Sequence, residues 1–502
     1  MLLKKQTANE PKQEILKLKS GKIQMDIYKE KKLRIKSYFD TVAKTRIKYR
    51  KRKHYYWDSI TNYCNFFIQP DCSVLEIGCG TGELIAQING NEKTGIDFSE
   101  IMIEEAKRQF PNLEFICMPA EEITLEKKYD VIILSNLVGY LPDIQHVFEE
   151  LKKVSHEKTK IIITYYNIFW EPLIKFAEFI GIKKKGPQQS WLSTKDLSNL
   201  LYLAGFETYK QNSSMLFPYY VPLFSSLMNK FISKLPVFNW FALNQYTFAQ
   251  PIVPIDEDEI SKKYSTTVLI PARNESGNIE NAILRLPEFG KHIEIIFVEG
   301  NSTDDTWKKI QEIQQKYKNT HDIKIIQQPG KGKGDAVRAG YAIATGDILM
   351  ILDADLTVPP EQLPKFYNAI SQNKGGFING TRLIYPMEKN AMRFLNTLGN
   401  KFFSMAFSWL LEQPIKDTLC GTKVMFRKDY LKLVANRHYF GNFDPFGDFD
   451  LLFGAFKLNL KIIDMPIRYQ ERIYGDTNIS RFKHGLLLLK MWWFALFKIK
   501  FK

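Results

Sequence analysis

Cysteine is scarce. The 502 residues include five (Cys64, Cys72, Cys79, Cys117 and Cys420), and none forms a Cys-x-x-Cys pair. That argues against a disulfide framework and a thiolate zinc site, and suits a reducing, cytosolic setting. Long apolar runs are also missing. The most apolar stretch, Gly485 to Phe497, is broken by Lys490 and falls well short of the ~20 residues that a bilayer crossing takes. The start, Met1-Leu-Leu-Lys-Lys, leads into lysine-rich sequence with no apolar segment of a secretory signal. No internal repeat is found. The rest is ordinary globular material, 45% hydrophobic and 25% charged, long enough for two or three domains.

The net charge of +15 is unevenly placed. Residues 1–57 hold eighteen basic and five acidic side chains, and residues 481–502 hold six basic and none acidic, so the body between them is mildly acidic. Basic ends bind anionic lipid or nucleic acid, or remain solvated. Tryptophans beside lysines in 485–502 suit a bilayer interface, with a buried terminal helix as the alternative. The expected location is the cytoplasmic face of a membrane, peripherally bound.

Alternating apolar runs and helical periodicity predict two α/β series, each a Rossmann-like doubly wound domain. Strands are expected at 73–77, 93–96, 113–118, 130–134 and 160–165, then at 267–270, 294–298, 323–327, 347–352 and 376–379. Five prolines and a dense aromatic set, among them Phe217, Tyr219, Tyr220, Phe224, Phe238, Trp240 and Phe241, interrupt the pattern over 214–254. The expected divisions are a basic arm (1–37), a first domain (38–215), an aromatic, proline-rich linker (216–263), a second domain (264–484) and an amphipathic tail (485–502).

The first series carries Val74-Leu-Glu-Ile-Gly-Cys-Gly-Thr-Gly82 after its first strand. Gly78, Gly80 and Gly82 allow a tight turn and close approach of backbone to ligand. No Walker lysine follows, and Asp97 ends the next strand, placed to accept both hydroxyls of a ribose. With Glu76, this set resembles the class I methyltransferases that use S-adenosylmethionine. The resemblance covers 38–215 and includes Pro119-Ala-Glu121, Ser135-Asn136-Leu-Val-Gly-Tyr-Leu-Pro142 and Leu192-Ser-Thr-Lys-Asp196. It implies a cofactor site of Glu76, Gly78, Gly80, Gly82, Asp97, Ala120 and Glu121. Pro119 stands where the family often has an acid, which passes adenine recognition to backbone amides and Glu121. The Asn/Asp-Pro-Pro-Tyr/Phe corner of base-directed enzymes is absent, so an oxygen acceptor on a small molecule or saccharide is expected, with Tyr140 and His146 as candidate acid/base groups.

The second series ends an apolar strand with Asp353-Ala-Asp355, and alternation turns both carboxylates to one side. Such a pair holds magnesium or manganese on a diphosphate. Around it stand Ile270-Pro-Ala-Arg-Asn-Glu275, Val298-Glu-Gly-Asn-Ser-Thr-Asp-Asp305 and Gly330-Lys-Gly-Lys-Gly-Asp-Ala-Val-Arg338. Together they resemble the family 2 glycosyltransferases of GT-A fold, within them the enzymes that glycosylate dolichyl or other polyprenyl phosphates, over 264–484. The resemblance implies that Pro271, Ala272 and Glu275 line a nucleoside pocket, with Glu299 where an aspartate is usual. It puts Lys333 near the diphosphate, and Asp353 and Asp355 on the metal and donor. Asp417-Thr-Leu-Cys-Gly-Thr-Lys423, Phe446-Gly-Asp-Phe-Asp-Leu451 and Arg472-Ile-Tyr-Gly-Asp-Thr-Asn478 look like its acceptor-side segments.

A lipid phosphate is largely ionised at neutral pH, so it asks for positioning and charge relief, which Arg472 and Lys423 would supply beside Asp355. Were the acceptor a sugar hydroxyl, Asp448 would be the base. The expected function is therefore bifunctional. A sugar passes with inversion from a nucleotide-sugar to a polyprenyl phosphate or glycolipid, and a methyltransferase serves the same glycan pathway. The alternatives are a polysaccharide-directed glycosyltransferase fused to a sugar O-methyltransferase, and a tethered scaffold with one silent domain. Nucleic acid is not the expected partner.

Overall fold

A computed structural model gives the fold and describes residues 30–43, 46, 50, 53–181, 185–187, 189–253, 262–382, 394–437, 448–467, 470, 472, 474 and 481–501. The chain divides into two compact units, Met1–Pro251 and Ile252–Lys502.

In the first unit the strands are β1 (Ser73–Ile77), β2 (Glu92–Asp97), β3 (Glu114–Cys117), β4 (Tyr129–Ser135), β5 (Ser155–Tyr166), β6 (Phe206–Ser214) and β7 (Asn244–Pro251). They form one sheet in the order β3-β2-β1-β4-β5-β7-β6. Strands β3 to β5 run parallel, and β7 lies antiparallel to both β5 and β6. The central strands carry continuous apolar runs such as Val131–Leu134 because helices cover both faces. Some helices start at side-chain caps: Ser99 accepts from Met102 N, and Ser193 forms a reciprocal capping box with Asp196.

The second sheet contains β8 (Ser265–Ala272), β9 (His292–Glu299), β10 (Asp322–Gln327), β11 (Ile348–Ile351), β12 (Phe377–Thr381), β13 (Lys423–Phe426) and β14 (Ile462–Pro466). Its order is β10-β9-β8-β11-β13-β12-β14. Strands β8 to β11 are parallel, and β13 is inserted antiparallel between β11 and β12. Both sheets are therefore mixed. In each, the parallel strands direct their carboxyl ends to one edge, where open α/β sheets bind ligands.

Three expected boundaries are corrected. The first unit does not end at residue 215: the supposed linker contributes β7, whose side chains Asn244 to Gln250 are all buried between β5 and β6. The basic arm is not separate up to residue 37, since residues 30–43 are helical, with Ile35 and Ala43 buried and Lys32 paired to Glu121 at 3.2 Å. Residues 1–29 lie outside the described residues. The tail is a helix, Arg481–Ala495, continued by a π turn, Leu496–Lys500. One face packs on helix Phe394–Leu411: Trp492 Nε1 donates to the Ala406 carbonyl at 3.2 Å, and buried Lys500 pairs with Glu412 at 3.0 Å. The other face leaves Leu486, Leu489, Trp493 and Phe497 exposed. Among the described residues no helix is long and apolar enough to cross a membrane.

Candidate active sites

The first site lies beyond β1 and β2. Gly78, Gly80 and Gly82 have φ of 74°, 56° and 81°, in the left-handed region where a side chain is strained. Gly80 N and Ser99 N donate to the two Asp97 oxygens at 2.9 and 3.0 Å, which ties the glycine turn to the end of β2. Burial raises the Asp97 carboxyl above its ordinary value, and those two N–H bonds oppose the rise. Glu76 is buried within the sheet and accepts from Ile85 N at 3.0 Å, holding the helix that follows the turn. Burial pushes its carboxyl up to about 8, against the pull of Arg50 and Arg46.

A Cβ added to Gly80 would meet the Arg46 guanidinium at 2.7 Å, so this arginine lies directly over the turn. Gly78 adjoins the loop after β4 in the same way, with Leu137 only 2.8 Å from a Cβ there. That loop begins with Asn136, whose φ is 51°. Its Nδ2 donates to Tyr56 Oη at 3.2 Å, while its buried Oδ1 has no hydrogen-bond partner among the described residues. Asn136, Tyr140, Tyr165, Tyr166, Gln189 and Trp191 line a small pocket there. Asparagine tolerates that backbone conformation, and a buried acceptor without a partner beside a pocket makes Asn136 a candidate ligand-facing position.

The second site forms where the loops after β8, β9 and β11 meet. Asn274 Oδ1 accepts from Thr303 N at 2.8 Å, and Glu275 N donates to Thr306 Oγ1 at 2.9 Å, knitting the first two loops. Asp353 and Asp355 lie just past β11, in a turn closed by Leu356 N to the Asp353 carbonyl at 3.1 Å. Each carboxylate has a cation. Lys333 Nζ, at the start of helix Lys333–Ile343, lies 2.6 Å from Asp353, and Arg472 Nη2 lies 2.5 Å from Asp355. Arg472 Nη1 also reaches Glu275 at 3.2 Å. Thr357 N and Oγ1 donate to the other Asp355 oxygen at 3.1 and 2.8 Å, fixing its rotamer. Burial pushes the Glu275 carboxyl up to about 7, opposed by Asn278 and Arg472.

Two family models match the chain: a methyltransferase domain over residues 68–204 and glycosyl transferase family 2 over residues 267–434. The chain is a methyltransferase domain followed by a family 2 glycosyltransferase domain. Among similar proteins is a dolichol-phosphate mannosyltransferase of Pyrococcus furiosus, 37% identical over 224 residues, which are 43% of this chain and 59% of that protein. An undecaprenyl-phosphate 4-deoxy-4-formamido-L-arabinose transferase of Klebsiella pneumoniae is 24% identical over 220 residues, 43% of this chain and 62% of that one. The chain thus spans about three-fifths of the length of the curated relatives it matches. A solved S-adenosylmethionine-dependent methyltransferase from Thermotoga maritima is 15% identical, at a TM-score of 0.35, over 43% of this chain and 99% of that one.

In the methyltransferase domain the structure brings Gly78, Gly80, Gly82 and Asp97 together, whereas Glu76 supports the turn from beneath. Ala120 is half-buried beyond β3, and buried Glu121 pairs with Lys32 at 3.2 Å. His146 spends Nε2 on the Glu121 carbonyl at 3.0 Å and does not line the Asn136 pocket.

In the glycosyltransferase domain, Arg472 joins Glu275 and Asp355, and Lys333 joins Asp353. Pro271 and Ala272 end β8 beside them. Glu299, at the end of β9, accepts from Ser302 N at 2.5 Å and from Gln327 Nε2 at 3.1 Å. Lys423 is corrected. It is 1% exposed within β13 and donates to the Cys420 carbonyl, so it braces the Asp417–Lys423 loop and cannot meet an acceptor phosphate. Asp448 opens helix Asp448–Lys457, but its side chain lies outside the described residues, as do 446–447 and 475–478.

Arg46 was concealed within a lysine-rich run. Arg382, which grips buried Asp417 through two contacts of 2.7 and 2.9 Å, had no motif to mark it. Among the described residues no three His, Cys, Asp or Glu side chains could hold a metal together. The aspartate pair is nonetheless an all-oxygen donor set that suits a hard divalent cation completing its shell with diphosphate oxygens.

Proposed function

We propose that the glycosyltransferase domain moves a sugar, with inversion, from a nucleotide-sugar to a polyprenyl phosphate or related lipid-linked acceptor. The methyltransferase domain would use S-adenosylmethionine in the same glycolipid pathway, and the chain would work peripherally at the cytoplasmic face of a membrane. The observation that carries the reading is Arg472, which bridges Glu275 of the nucleoside-side loop and Asp355 of the carboxylate pair. A bidentate cation beside the donor carboxylates is what an ionised phosphate nucleophile needs. The names of the two relatives support that acceptor class.

On this reading Glu275 and Glu299 orient the nucleoside, and Lys333 offsets diphosphate charge. Magnesium or manganese, held by Asp353 and Asp355, would supply Lewis-acid stabilisation of the departing nucleoside diphosphate. Arg472 leaves Asp355 for the acceptor phosphate and aligns one of its oxygens. A C1–O bond to that phosphate forms as the C1–O bond to the leaving diphosphate breaks, and no strong base takes part. In the methyltransferase domain Asp97 addresses the ribose, and Arg46 offers its charge to the methionyl carboxylate.

The test is a panel of nucleotide-sugars with polyprenyl phosphate, scored for labelled glycolipid. Arg472→Ala and Arg472→Lys should raise the acceptor KM and cut kcat/KM by about a hundredfold or more, since charge without the planar fork does not suffice. A chelator should stop glycolipid synthesis while S-adenosylmethionine binding persists. A fully active Arg472→Ala enzyme would move the weight to Asp448 and a hydroxyl acceptor.

A further inference from the structure

The β6–β7 connection is built inside out. Between Leu216 and Phe241 the buried side chains are Ser225 and Ser233, and no apolar side chain is buried. Polar groups satisfy the interior: Asn229 Oδ1 accepts from Leu216 N and Phe217 N at 2.8 and 2.9 Å, and Asn239 Nδ2 donates to the Ser213 carbonyl at 2.7 Å. The apolar side chains face outward, with Leu223 89%, Trp240 65% and Tyr220 63% exposed. Helix Glu171–Phe179 extends this surface through Leu173, Phe176 and Phe179. It is tied there by Trp170 Nε1 to the Phe241 carbonyl at 2.8 Å and by Asn167 Nδ2 to the Trp240 carbonyl at 2.8 Å.

Polar-in and apolar-out packing is unfavourable in water and correct against hydrocarbon. Within the connection charge points the same way, while in helix Glu171–Phe179 Lys175 is paired with Glu171 at 2.6 Å. No acidic residue occurs between Glu207 and Asp256, while Lys230 and Lys234 lie in the connection itself. Lysines flanking exposed tryptophan, phenylalanine and leucine match an anionic headgroup layer over acyl chains.

We propose that residues 216–243 and helix Glu171–Phe179 form a surface that seats the methyltransferase domain on an anionic lipid bilayer, separately from the C-terminal helix. Topology gives the consequence. The connection leaves β6 and returns as β7 opposite the carboxyl end of β5, the edge that also carries the glycine turn, Asp97 and Asn136. Docking there brings headgroups to the cofactor edge, so the methyl acceptor is the polar head of a lipid-linked molecule. This consequence rests on the S-adenosylmethionine reading, whereas the docking itself does not.

The test uses the full chain with vesicles of phosphatidylglycerol and phosphatidylcholine containing a photoactivatable lipid. Peptide mapping should find lipid cross-links in 219–241 as well as 486–497. The variant Phe179→Ser/Leu223→Ser/Phe238→Ser/Trp240→Ser changes only exposed side chains. It should lose the first set of cross-links and at least tenfold in vesicle partitioning, while calorimetric S-adenosylmethionine binding is kept. Trp493→Ser/Phe497→Ser should lose only the second set. Cross-links confined to 486–497, or wild-type partitioning by the fourfold variant, would overturn the proposal. A dimer dispersed by that variant, with partitioning unchanged, would overturn it in favour of a second copy of the chain. Loss of cofactor binding in wild type with docking intact would sink only the S-adenosylmethionine reading.

Discussion

At Gly421 the space of one methyl group decides whether Asp353 and Lys333 keep their places. A Cβ there would lie 2.0 Å from Asp353 Oδ2 and 2.4 Å from Lys333 Nζ, so the loop of Asp417–Lys423 approaches the donor carboxylates with backbone alone. Gly421→Ala should displace that pair, weaken donor binding and cut turnover by about a hundredfold, measured by donor calorimetry and initial rates. Unchanged kinetics would mean that the loop yields without cost. Glu76 gives a pH-dependent counterpart. Its folded value of about 8 lies above the ordinary carboxylate value of 4.5, so its contribution is complete only below about pH 4.5 and is lost progressively as pH rises from there to about 8. Glu76→Gln should flatten that decline in urea unfolding between about pH 5 and 8. The motif glycines and Asp97 were readable because glycine at left-handed φ has few substitutes. Lys423 was misread because one motif can present a side chain to a ligand or to its own loop, and only the neighbouring strands decide which.

Among the elements, β7 was the least legible. Its sequence, Asn244-Gln-Tyr-Thr-Phe-Ala-Gln-Pro251, is half polar, yet it occupies an interior position between β5 and β6. Ladder hydrogen bonds and aromatic neighbours, not side-chain hydrophobicity, pay for its burial; Tyr246, for instance, lies 4.0 Å from the Tyr63 ring. By contrast β1, β4, β8 and β11 announced themselves by apolar runs after which the chain turns. The terminal helix was half legible. Its apolar stripe was visible, but the contact that closes it was not, since Lys500 meets Glu412 across 88 residues. Both partners are buried, so Glu412→Gln should cost about 3 kcal/mol by stranding the ammonium. Glu412→Gln/Lys500→Met should recover most of that loss in urea unfolding. Equal destabilisation by the single and double variants would show that the helix end is not held by charge.

For the molecule as a whole, each unit has its own sheet, its own core and its own ligand edge. The first core gathers around Ile77, Ile132 and Phe148, and the second around Ile270, Phe297 and Phe366. No residue assigned to one site lies in the other unit's sheet, so free-energy changes at the two sites should be independent. Asp97→Ala should therefore abolish S-adenosylmethionine binding and leave donor affinity within about twofold, a change of ~0.4 kcal/mol that lies inside ordinary additivity. Asp355→Ala should do the reverse. The cross-measurements decide the matter: calorimetry with S-adenosylmethionine on Asp355→Ala, and with the nucleotide donor on Asp97→Ala. If either variant, still cooperatively folded, loses the distant ligand as well, the two chemistries share a conformational equilibrium. The fusion would then act as one coupled machine, in which methyl and glycosyl transfer are regulated together rather than merely carried on one chain.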